Sequence, residues 1–185
     1  MSHRQASSFV DDIARTVGWE RDFRPGLDWL TVEHGLGTLL PTDYKELFSR
    51  FPSGVFRNSV RMHSPVEDDD WWQRFKANVD EVLEVIGDED LEYLEGVDYR
   101  LFPEPGGLLP WGDDLQGGMF FWLTQSANPD EWPIAYYSQG SDEWREHSGP
   151  MTKVILEVLT NEGDDNIMHR NLSHRPADFI TAYNG

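Results

Sequence analysis

Residues 106–124 read GGLLPWGDDLQGGMFFWLT. They hold five glycines, a proline, two tryptophans, two phenylalanines and the adjacent pair Asp113–Asp114. The apolar runs Leu108–Trp111 and Met119–Thr124 flank a stretch of turn formers, the pattern of two strands joined by a tight connection. A Gly-Asp-Asp among aromatic residues also has the ingredients of a metal site or a substrate cleft. Two adjacent carboxylates on a turn point apart, however, and no third acid or glycine follows at calcium-loop spacing. The stretch therefore reads as strand, turn, strand, with Gly112 and Gly117–Gly118 as turn residues. It does not read as a catalytic centre.

Outward from this hairpin, helical and extended periods alternate with turn signals. SSFVDDIARTVG (7–18) predicts a helix with Ser8 and Asp11 at capping-box spacing, an apolar stripe of Phe9, Val10, Ile13 and Val17, and Gly18 as its stop. WERDFRPGLD (19–28) is a loop that turns at Pro25–Gly26. In WLTVEHGLGTLLPTDYKELFSRFPSG (29–54) a short helix starts at Trp29 and closes at Gly35 or Gly37. A second helix follows Pro41, with Asp43 and Glu46 as its cap and Tyr44, Leu47, Phe48 and Phe51 on one face. One short strand is expected within Val55–Met62.

DDDWWQRFKANVDEVLEVIGDED (68–90) predicts a long helix with Trp72, Phe75, Val79, Val82 and Ile86 inward. Asp80, Glu81, Glu84 and Asp88 then line its other side, and Asp68–Asp70 sit at the positive end of its dipole. Strands are expected at Tyr99–Phe102 and Ile134–Tyr137, and an amphipathic helix over Pro150–Thr160. Residues 161–185 read as an appended tail with one short helix near Phe179. This order predicts a single α+β domain, an antiparallel sheet with helices packed on one side.

Eight tryptophans and a 13% aromatic content supply the area for a core, although only 38% of the residues are hydrophobic. The absence of cysteine excludes disulfides, thiolate nucleophiles and iron–sulfur clusters. MSHRQASSFVDD shows no apolar run after its charges, and no run of about 18 apolar residues occurs, so the expectation is a soluble cytoplasmic protein. Fifteen basic against thirty-four acidic residues give a net charge of −19. Such a surface repels nucleic acid and anionic lipid and suits a basic partner. Residues 66–98 alone hold thirteen acids against Arg74 and Lys76, a net −11, whereas the chain from Asn166 onward is +1.

Catalytic motifs are missing. No phosphate-binding loop, dinucleotide fingerprint or nucleophile elbow occurs. His169 and His174 are five apart, not at the spacing that puts two ligands on one helical face, and Asp68–Asp70 read as a solvated helix cap. No cofactor and no metal is expected.

Taken together, WLTVEHGLGTLLPTDYKELFSRFPSG, LLPWGDDLQGGMFFWLT, WPIAYYSQGSDEW (132–144) and MTKVILEVLT (151–160) resemble the SUKH superfamily. That group contains fungal Smi/Knr cell-wall-assembly regulators and many bacterial immunity proteins of polymorphic toxin systems. Trp29 and Glu33 match its opening "W..iE", Leu40–Pro41 with Tyr44 its "LP..Y", and Leu109–Pro110 with Gly112 its "L.p.G". Gly117, Trp122 and Trp144 fit its later glycine and aromatic positions. The resemblance covers about residues 29–160, within a domain of 1–160 that carries an acidic helical insertion at 66–98 and is followed by the 161–185 extension. The departures are that insertion, the Ser-Gly of FPSG, and the tail.

The resemblance implies a non-enzymatic protein-binding domain: an immunity protein that neutralises a cognate toxin, often a nuclease, or a regulatory module of the Smi/Knr type. An enzyme built on Asp113 and Asp114 is the remote alternative. The acidity favours a basic toxin domain as partner, with neither nucleic acid nor membrane. The expected docking face is Asp80, Glu81, Glu84 and Asp88, anchored by Trp71 and Tyr93 as exposed aromatics. A solvated helix face that binds nothing is the plainer alternative.

Overall fold

The structure, a computed structural model, describes residues 8–182. Its elements run α1 (Phe9–Val17), α2 (Trp29–Leu36), α3 (Thr42–Arg50), β1 (Gly54–Phe56), β2 (Val60–Met62), α4 (Asp69–Ile86), β3 (Leu108–Asp113), β4 (Met119–Leu123), β5 (Ile134–Ser138), β6 (Glu143–His147), α5 (Met151–Thr160) and β7 (Phe179–Thr181). The strands form one antiparallel sheet in the order β6-β5-β4-β3-β2-β1-β7, with the helices on one side. The chain is a single α+β domain, as its pattern of helices and strands predicts.

Alternation along the central strands builds two cores. Leu109, Trp111, Phe120, Trp122, Ile134 and Tyr136 face the helices and join the main cluster. Phe121, Leu123, Ala135 and Tyr137 face the other way, where Ile86 at the end of α4 and half-buried Val82, Leu94, Tyr99 and Leu101 cover them. Three residues of the family pattern meet in the main core. Tyr44 stands edge-on to Trp29 at 5.7 Å and to Trp122 at 4.8 Å, so α2, α3 and β4 are locked through aromatic edges.

Caps explain the helix starts. Ser8 and Asp11 close the capping box on α1, Asp28 accepts from the Thr31 amide on α2, and Asp68 accepts from the Trp71 amide on α4. Asp43 does otherwise. Pro41 occupies the N-cap position of α3, and the Asp43 carboxylate accepts instead from the amide (3.0 Å) and hydroxyl (2.9 Å) of Thr152. It thereby caps α5, whose own N-cap residue, Pro150, has no side-chain acceptor. Burial raises the pKa of this carboxyl above its ordinary value.

Elsewhere the structure departs from the sequence pattern in four places. Val55–Met62 is not one strand but a hairpin, because Arg57 and Asn58 take positive φ (48° and 44°) and the Ser59 amide donates to the Phe56 carbonyl. Tyr99–Phe102 makes only a single bridge, Leu101 to Leu108. β6, unexpected from its charged sequence EWREH, closes one edge of the sheet. The region near Phe179 is no helix: it is β7, paired with β1 from Gly54↔Thr181 to Phe56↔Phe179. The chain leading to it buries Ile167, Met168 and Leu172 in the main core.

The two tryptophans that fit the family's later aromatic positions differ in burial. Trp122 is fully buried, whereas Trp144 is only half-buried because it lies on an edge strand, with its indole N–H donated to the Tyr93 carbonyl at 2.8 Å. Trp122→Ala should therefore cost about 3–5 kcal/mol, and Trp144→Ala about 1–2 kcal/mol. Urea denaturation of the two variants checks the order, and equal losses would contradict this placement.

Candidate functional site

The β3–β4 turn resolves the role of its two aspartates. Asp113 is at the end of β3, with one carboxylate oxygen accepting from Arg61 Nε at 2.8 Å and the other from the Leu115 amide. Asp114 is buried. It accepts from the amides of Gln116 (2.8 Å) and Gly118 (2.7 Å), from the Tyr136 hydroxyl (2.7 Å) and from Arg170 Nη2 (2.6 Å). A Cβ on Gly118 would sit 2.2 Å from the Asp114 carboxylate, so glycine is required there for the close approach. Burial, helped by its bond to Asp114, pushes the Tyr136 hydroxyl well above the usual tyrosine value. Both carboxylates are committed to structural partners. Among the described residues, no group of three histidines, aspartates or glutamates is placed to hold a metal ion.

The remaining pattern residues shape a loop. Glu33 is buried on α2; its carboxylate accepts from the Leu40 amide at 2.9 Å and pairs with Lys45. Its carbonyl accepts from the amides of Gly37 and Thr38, where Gly37 takes φ 75° as the helix C-cap. Glu33 thus sets the turn from α2 to α3 that Pro41 completes. Gly112 lies where β3 slips register against β4, and a Cβ there would meet the Arg61 carbonyl at 2.8 Å. Gly117 holds φ 86° in the turn.

The acidic helix exposes Asp80, Glu81 and Glu84. Asp88, expected on the same helix face, lies past its end because α4 stops at Ile86 with Gly87 as its cap, and Asp88, Glu89, Asp90 and Glu92 continue the exposed acid beyond it. None of the seven takes part in an ion pair among the described residues. Trp71, expected beside them as an exposed aromatic, is 4% exposed. It packs against the His63 ring at 5.2 Å, under the Arg74 guanidinium. The single-residue step from Trp72 puts it on a second buried face that one helical stripe does not reveal. Tyr93 is half-buried against Tyr137 at 5.1 Å. The exposed apolar residue at this end is Leu91, which the charged sequence around it hides. With Ile86 and Leu94 it floors a hollow of about 380 Å³ walled by Asp88, Glu89, Glu92 and Glu95.

Residues 27–149 match the model of the SUKH_6 family, described as SMI1-KNR4 cell-wall. That span holds α2, α3, α4 and β1 to β6, and leaves α1, α5 and β7 outside it. No curated protein and no solved structure matches the chain. No helix among the described residues is long and apolar enough to cross a membrane.

If Asp114 is a structural acid, breaking its pair must cost stability. Arg170→Met, which leaves a buried carboxylate without its cation, should destabilise by about 3–5 kcal/mol. The double variant Asp114→Asn, Arg170→Met should recover part of that loss. Thermal melts of both check it; a double variant less stable than the single one would refute the pairing.

Proposed function

The chain belongs to the SMI1-KNR4 cell-wall family, and from that membership we propose that it is a non-catalytic immunity protein that binds and neutralises a basic toxin domain. The observation that carries the reading is the exposed, unpaired acid of α4 and the segment after it. An isolated surface carboxylate contributes little, but seven without cations create a field that steers a positive partner. Nuclease toxins present basic surfaces to phosphate, and a carboxylate-rich face competes for those surfaces. Leu91, in its acid-walled hollow, takes the anchoring part that Trp71 is too buried to play, and the Tyr93 edge adds to it. A lysine or arginine stem of the partner fits such a hollow, with its alkyl part on Ile86 and Leu94 and its charge at the rim. The protein acts in the cytoplasm, without cofactor or metal, and touches neither nucleic acid nor membrane.

The words "cell-wall" in the family's description favour a second reading, a regulatory binding module of the Smi/Knr type. Both readings share the docking face and differ in the consequence. An immunity protein abolishes the partner's toxicity, whereas a regulatory module binds a partner that is not toxic.

Charge reversal tests the face. The variant Asp80→Lys, Glu81→Lys, Glu84→Lys should fold normally because these groups face water. Wild-type association with the toxin domain should slow at least about tenfold between low and physiological salt. The variant should associate more slowly at low salt and show a flattened salt dependence. Stopped-flow binding measures both, and matching low-salt kinetics would place the docking site elsewhere.

A further inference from the structure

Leu30 and Leu39 are 77% and 59% exposed, more than any other large hydrophobic side chain among the described residues. Leu39 is held out by design of the loop. The Glu33 carboxylate grips the Leu40 amide, so Leu40 turns into the core and Leu39 into solvent. Gly37 in the left-handed region and the two amide bonds to the Glu33 carbonyl fix the turn that precedes them. Leu30 stands on the first turn of α2, behind the Asp28 cap. Between them lies a hollow of about 800 Å³, and a second of about 430 Å³ shares Gly37, Thr38 and Leu39 with it. The second is floored by Phe102 and Trp132 and edged by Glu104. Leu39 is the ridge of one apolar trough.

Charge narrows what can lie in it. Asp28, Glu33 and Glu104 line the two hollows, and no lysine or arginine does. Glu33 is neutralised by Lys45, which leaves Asp28 and Glu104 facing solvent on a chain of net −19. An acidic segment is repelled there, and so is a second copy of this chain. We propose that the trough is a docking site for a positively charged segment bearing alternate apolar side chains, contributed by the basic partner. This rests on the reading that the chain binds a basic protein, but not on the α4 face. Rigid presentation matters because a preordered apolar ridge loses little entropy on binding.

The probe is a short capped peptide alternating lysine and leucine, titrated into the full-length protein and followed by amide NMR, with a lysine–serine peptide as control. The lysine–leucine peptide should shift Leu30, Thr38, Leu39 and the Trp132 indole saturably, and the control should not. Leu30→Ser with Leu39→Ser should weaken that binding by about tenfold or more at an unchanged melting temperature. The α4 triple-lysine variant should retain it, so that failure of one surface is told from failure of the other. Four results would overturn the proposal: shifts confined to Asp80–Glu92, equal shifts with the control, undiminished binding by the double variant, or peptide-free, concentration-dependent shifts at Leu30 and Leu39. The last would assign the trough to a second copy.

Discussion

A buried guanidinium ties together parts of this fold that lie more than 100 residues apart in sequence. Arg57 Nη1 donates to the carbonyls of Val158 (3.0 Å), Leu159 (3.0 Å) and Asn161 (2.9 Å), and Nε to that of Arg175 (3.1 Å). The first three are carbonyls that the end of α5 leaves without partners, at the negative end of its dipole. One cation thus caps a helix and seats the tail. Its backbone lies at φ 48°, a cost of about 1–2 kcal/mol for a side-chain-bearing residue, and its amide donates to the Asp178 carbonyl. The strand so delivered puts Phe179 against Trp19, Phe51 and Phe56 at 4.6–5.1 Å. Without the tail, β1 would be a bare edge and this aromatic cluster would lose its centre. The family span, 27–149, stops short of both α5 and the tail, and Arg57 holds both to the matched core, beside Asp43 at the start of α5 and Asp114 at Arg170.

Interior and surface charge obey opposite rules here. Every charged residue among the buried ones is answered: Glu33 by Lys45 and the Leu40 amide, Asp114 by Arg170, Tyr136 and two amides, Arg57 by four carbonyls. An unanswered charge in those positions would cost several kcal/mol. The exposed acids of α4 and the following segment take part in no ion pair among the described residues. Arg74 and Lys76, the basic residues of α4, lie over the Trp71 and Trp72 rings and likewise take no part in an ion pair among the described residues. Net charge of this size destabilises a compact state through self-repulsion.

Much of this was legible in the sequence wherever one signal dominated. The caps at Ser8 and Asp68 and the stripe of α3 place helices at their observed positions, and the glycine-rich hairpin at 106–124 places β3 and β4. Failures came where tertiary contacts outweighed local pattern. Asp43 stands at a capping position of its own helix but serves another, 109 residues on. Arg57 is a poor candidate for a left-handed turn until its guanidinium finds the end of α5. EWREH lacks an apolar alternation because an edge strand needs none, and three residues of β7 are too few to show a period. The trough around Leu39 was invisible for a related reason. Leu39 and Leu40 are the same residue type in adjacent positions, and only the Glu33 carboxylate decides which one turns inward.

Steering and anchoring are separate tasks, and the two proposed surfaces would divide them. Screening at physiological salt confines the field of exposed acids to about 8 Å, so it acts only as a partner arrives. It raises the rate of encounter but gives little lasting affinity, since each exposed ion pair is worth under about 1 kcal/mol. Residence has to come from apolar area removed from water, at roughly 25 cal/mol per Å². Leu91 in its acid-walled hollow, and Leu30 with Leu39 in the trough, are the exposed apolar side chains that combine a concave setting with an acidic rim. A purely acidic face would catch any polycation and hold none. Leucines held at fixed positions inside that field ask more of the occupant, apolar side chains at matching intervals between its positive charges, and so turn a general attraction into a selective one.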